Sequence, residues 1–184
     1  MKRISIYIAS VLIVLSVLIS CKGEPSLQKY YVEHQDSDNF ISLDLPASMV
    51  NFGDNVSTET KETMQSIKKL NVLAFKLNDN NKEAYLSELK KVKLILKSDS
   101  YSELIRVKHK KANIIVKFLG KEDAVREFIV FASDNNKGFA LARVLGNQMD
   151  PEKIIKMTKD LKNIDENGQV FSQIKGLIEG FEGK

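Results

Sequence analysis

Arg126-Glu-Phe-Ile-Val-Phe-Ala-Ser-Asp-Asn-Asn-Lys-Gly-Phe-Ala-Leu-Ala-Arg-Val-Leu145 holds two runs rich in aromatic and branched residues, separated by a polar stretch. Each run has the length and composition of a strand, and Ser133–Gly138 has turn chemistry. Gly138 supplies a positive φ, while Asp134 and Asn135 favour turning. Upstream, residues 103–108 and 113–119 repeat the pattern with short links. Four strands therefore form an antiparallel meander between residues 103 and 145.

The preceding chain alternates helices and strands. Residues 26–34 place Leu27, Tyr30 and Tyr31 on one helical face. Residues 40–45 alternate with period two and stop at Pro46, as a strand does. Residues 57–70 read as a helix capped by Ser57 or Thr58, with Glu59 and Glu62 near its positive end and Met64, Ile67 and Leu70 as the buried stripe. Asn71–Leu77 is a second strand. Asn80 and Glu83 make a capping-box-like start to a helix through Lys97, whose apolar face carries Tyr85, Leu89, Val92 and Leu96. After the meander, Asp150-Pro151 opens a last helix with Ile154, Met157 and Leu161 facing inward. This order predicts an α+β two-layer sandwich, a mainly antiparallel sheet of about six strands with helices on one face. A helical connection between strands 40–45 and 71–77 leaves room for that pair to be parallel.

The domain so defined covers residues 27–162. In the C-terminal extension 163–184, Val170, Ile174, Leu177, Ile178 and Phe181 keep helical spacing, although Gly176 and Gly180 interrupt it at about 1 kcal/mol each. A weak helix docked on its own domain is expected, with a flexible tail or a partner-binding helix as alternatives. Asn163–Val170 has part of the spacing of a calcium loop, but Ile174 stands where a bidentate Glu is needed, so a polar helix-ending turn is the plainer reading.

At the other end, Lys2-Arg3 precede an uncharged run from Ile4 to Ser20. As a helix this run spans roughly 26 Å, short for a bilayer crossing, and it has the basic and apolar regions of an export signal. Leu18-Ile19-Ser20-Cys21 then matches a bacterial lipobox, with cleavage between Ser20 and Cys21. Residues 1–20 are thus expected to be a lipoprotein signal peptide, Cys21 the lipidated residue and 21–26 a tether. Two or three acyl chains hold a protein on a membrane almost irreversibly, since each buried CH₂ contributes about 0.8 kcal/mol. The expected location is extracytoplasmic, on the cell membrane or outer membrane.

Composition narrows the function. The chain has 184 residues, 43% hydrophobic and 28% charged, which suits one globular domain. Without the two cations of the leader, the formal charge falls from +4 to +2, so there is no general case for a nucleic-acid partner. A single Cys and two His leave no Cys/His zinc set, and no nucleophile elbow, phosphate-cradling Gly loop or HExxH is present. Asp36 and Asp38 fall in a polar turn, with nothing to raise a carboxyl pKa for acid catalysis. No cofactor and no catalysis are expected. Arg106, Lys108, His109, Lys110, Lys111 and Lys117 cluster around one hairpin. They are candidates for contact with an anionic headgroup or acidic partner. The plainer role of a Lys-rich hairpin is to keep an exposed sheet edge from pairing with other chains.

Three blocks, Phe40–Met49, Ile67–Lys76 and Val130–Gly146 followed by Met149-Asp-Pro-Glu-Lys-Ile154, together resemble the bacterial lipoproteins grouped as domain of unknown function 4252. The similarity covers about residues 24–162. The resemblance implies an envelope lipoprotein with an α+β domain, and it transfers no catalytic residue. The functional expectation is a non-catalytic, membrane-anchored protein that binds or scaffolds an envelope protein or lipid. The alternative is a sensor or modulator in envelope signalling.

Overall fold

The computed structural model describes residues 25–49, 57–109 and 112–160. The leader, Cys21, Lys110, Lys111 and the extension after Asp160 lie outside the described residues, as do the expectations made for them. Within them the chain runs α1 (Leu27–His34), β1 (Phe40–Pro46), a 3₁₀ turn (Ala47–Met49), α2 (Thr58–Ser66), β2 (Ile67–Lys76), α3 (Lys82–Ile95), β3 (Tyr101–His109), β4 (Ala112–Lys121), β5 (Ala124–Asp134), β6 (Gly138–Met149) and α4 (Pro151–Asp160). The six strands form one sheet in the order β1-β2-β6-β5-β4-β3, every neighbouring pair antiparallel. The α+β sandwich and the meander are as the residue pattern predicts.

Three local expectations are corrected. The first two strands are antiparallel, with Phe40 opposite Phe75 and Pro46 opposite Lys69. Helix α2 joins them at one end of the sheet instead of running back along its length, so the chain reverses direction. That helix also stops at Ser66, and Ile67 and Leu70 belong to β2. Its buried residues are Thr60 and Thr63. Finally, α3 starts after Asn81, not Asn80. The Asn81 carboxamide holds the preceding turn, accepting from the Asn78 amide at 2.8 Å and donating to the Lys76 carbonyl at 3.0 Å.

Other ends follow the local chemistry expected of them. The Ser26 hydroxyl accepts from the Lys29 amide at the start of α1, and Ser57 does the same for Thr60 at α2. Asp150 accepts from the amides of Glu152 and Lys153, with Pro151 in the first helical position. In the β5–β6 turn, Asp134 accepts from the amides of Asn136 and Lys137. Gly138 has φ +125°, and a Cβ there would sit 1.9 Å from the Phe75 carbonyl oxygen. Position 138 therefore needs glycine for both conformation and space.

Strand alternation gives the sheet two faces. One carries Phe75, Leu73, Phe139, Leu141, Phe131, Ile129 and Ile115, packed against Leu27, Tyr30 and Tyr31 of α1 and Tyr85, Val92, Ile95 and Leu96 from α3 and its end. Helix α3 links β2 to the far edge strand β3, so it must cross this face. On the opposite face, register aligns Ile41, Ala74, Ala140, Ala132, Ile114 and Val107 in one row across all six strands. The next row is Leu43, Val72, Ala142, Val130, Val116 and Ile105. At the end of this face Phe118, Phe128 and Val144 pack with Ile154 of α4 in a second, smaller cluster.

A cationic cleft at the sheet edge

The helix-covered face changes character toward β3. Across one register row, Leu73, Leu141, Phe131 and Ile115 give way to Arg106; across another, Ile129 gives way to Lys117 and Glu103. A bulge between Glu103 and Ile105 lets Glu103 and Arg106, three residues apart, share this face. They pair in bidentate fashion, Arg106 Nε donating to Glu103 Oε1 at 2.8 Å. The guanidinium holds the Glu103 carboxyl below its usual range, chiefly by hydrogen bonding. The carboxylate in turn raises Arg106.

The end of α3 stops over this strip, leaving a cleft of about 730 Å³. Its basic lining is Lys93 and Lys97 from the helix end, Arg106 and Lys108 from β3, and Lys117 from β4, against the single carboxylate of Glu103. Lys117 Nζ donates to the Tyr101 carbonyl at 3.0 Å, which fixes its position. Lys93 and Lys97 sit at the helix C-terminus, where cations are favoured by the macrodipole. Asn113 also lines the cleft, and its side-chain oxygen is buried without a hydrogen-bond partner among the described residues. An acceptor in that state costs about 1–3 kcal/mol unless a donor reaches it. The arrangement suits a ligand carrying negative charge together with a hydroxyl or amine donor.

Of the sequence candidates, Arg106, Lys108 and Lys117 are thus brought together. His109 ends β3. β3 is an edge strand, the setting in which lysines also discourage pairing with other chains. Sequence reading missed Lys93, Lys97 and Asn113, because the crossover that brings α3 over β3 and β4 has no local signature. Asp36 and Asp38 are exposed in the turn after α1. Among the described residues no group of three His, Cys, Asp or Glu side chains is placed to hold a metal, and no helix is long and apolar enough to cross a membrane.

A second polar cluster lies under α1. Arg143 of β6 donates to both Glu127 oxygens, at 2.6 and 3.1 Å, and to Gln28 of α1 at 2.9 Å. Its signal was strand parity. Glu127 shares a face with Ile129 and Phe131, and Arg143 shares one with Phe139 and Leu141, so opposite charges fall at inward positions. Beside it, Glu88 of α3 accepts from Tyr30 at 2.9 Å and from Lys91 at 2.6 Å, with His34 Nε2 at 3.1 Å. Both clusters tie α1 to its neighbours.

A family described as "Domain of unknown function (DUF4252)" has a model that matches residues 30–157 of this chain. No curated protein and no solved structure matches it.

Proposed function

Because this chain belongs to the DUF4252 family, a grouping whose description names no activity, we propose a function from its own residues: a non-catalytic lipoprotein, anchored through Cys21, whose domain binds an anionic component of the cell envelope. The cleft carries the reading. Five basic side chains converge on a space with one carboxylate, and that carboxylate is already engaged by Arg106. The net positive field favours a phosphate or carboxylate group, and the unpartnered Asn113 oxygen favours a ligand that also bears a donor, as a phosphorylated sugar headgroup does. The tether at 21–26 keeps the cleft within reach of headgroups on the membrane to which Cys21 is fixed. Lys22 after the acylated Cys, in place of Asp, favours the outer membrane where one exists.

The test is vesicle co-sedimentation of a chain starting at Lys22, with and without phosphatidylglycerol in a phosphatidylcholine background. Binding is expected only with the anionic lipid. A cation near a charged surface contributes about 1 kcal/mol, so reversing two with Lys93→Glu and Lys108→Glu lowers affinity by about thirtyfold or more. Equal binding by the variant would overturn the assignment of the cleft.

A further inference from the structure

The sheet face opposite α1 and α3 is apolar across its whole width, yet its margins are bare. Ile41 is 39% exposed at one edge, and Ile114 and Val107 are 38% and 46% exposed at the other. Between the margins the surface is recessed along one register row, where Ala74, Ala140 and Ala132 occupy β2, β6 and β5, with Ala142 of β6 in the next row between Val72 and Val130. From β2 to β5 is two strand spacings, about 10 Å, which is the diameter of one helix with its side chains. A membrane surface is met by protruding apolar side chains; a trough of alanines between larger residues is shaped for a rod.

We propose that the segment 161–184 turns back over this face and that its stretch 170–181 fills the trough as a helix, completing a third layer. Continuity with α4 supports the assignment: α4 already packs on the end of the same face through Ile154, and the segment follows α4 directly in the chain. The stripe Val170, Ile174, Leu177, Ile178 and Phe181 is one-sided at helical spacing. The inference is independent of the cleft and of Cys21.

Methyl-labelled, detergent-solubilised full chain tests it by nuclear Overhauser contacts. The expected result is intramolecular contact from the methyls of Ile174, Leu177 or Ile178 to those of Ala140 or Ala142. In parallel, Ile174→Asp with Leu177→Asp is expected to raise the fluorescence of a hydrophobic dye about threefold while the strand circular dichroism stays unchanged, since an apolar face is uncovered. Contacts seen only between differently labelled copies would assign the face to a second chain and overturn the proposal. So would contacts with lipid alone, absence of contacts, or no rise in dye binding by the variant.

Discussion

Arg143 and Glu127 face each other beneath α1 as a bidentate pair, their side chains only 3% and 6% exposed. They sit diagonally on adjacent strands, and Gln28 takes the remaining guanidinium donor direction toward α1. A pair so deeply buried is poor evidence of net stabilisation, because desolvation offsets most of the attraction. It is good evidence of interdependence, since either partner alone would be an uncompensated charge in the core.

Removing one partner should therefore cost far more than removing both. Arg143→Met alone is expected to lose about 3–5 kcal/mol, and Arg143→Met with Glu127→Leu to recover most of that loss. Urea unfolding followed by circular dichroism measures both. Additive losses in the double variant would mean that the two charges are not coupled.

Gly138→Ala should destabilise the domain by about 3 kcal/mol, because it combines a positive φ with a Cβ driven into the Phe75 carbonyl. The β2–β6 edge beside the turn should open first, read as faster amide exchange at Leu77, which bonds the Lys137 carbonyl. A change within a few tenths of a kcal/mol would show that the turn relaxes freely.

Much of this fold was legible because its strands are runs rich in aromatic and branched residues, and because Asp134, Asn135 and Gly138 mark the β5–β6 turn. What was misread lay where two periodicities overlap. Met64, Ile67 and Leu70 are spaced as on a helix, yet the partners that make Ile67 and Leu70 a strand, Gly146 and Val144, lie some eighty residues downstream. No local window contains them. The cleft divides in the same way. Arg106, Lys108 and Lys117 were visible as a cluster on one hairpin, whereas Lys93 and Lys97 reach it only through the path of α3 across the sheet.

Alkaline pH should expose the tyrosines' role. Burial, first among the causes, raises Tyr30, Tyr31, Tyr85 and Tyr101 above the ordinary phenol value of 10.0; Glu88 adds to the effect at Tyr30. A raised native value means stability that is fully present below about pH 10 and lost as pH climbs above it. Phenolate absorbance is thus expected to lag an unfolded control and to appear together with loss of circular dichroism. Free ionisation near pH 10 in a chain that stays folded would contradict the burial of these rings.

The cleft predicts an anion effect that needs no membrane. Like charges around Lys93, Lys97 and Lys108 repel, so inorganic phosphate bound there should raise the melting temperature, by about 2.7 kcal/mol of stabilisation at a hundredfold excess over its Kd. Lys93→Glu with Lys97→Glu should abolish the increment in a melting curve recorded with phosphate. Chloride at equal ionic strength serves as control. An equal shift in the variant would place the anion elsewhere.

Everything proposed about where the domain works depends on acyl chains at one sulfur atom. Metabolic labelling with a clickable fatty acid, followed by intact mass of the purified protein, is the decisive measurement. A labelled polypeptide beginning at an acylated Cys21, with the label lost in Cys21→Ala, is the expected result. A chain that begins at Met1, or that carries a bare thiol at position 21, would contradict it.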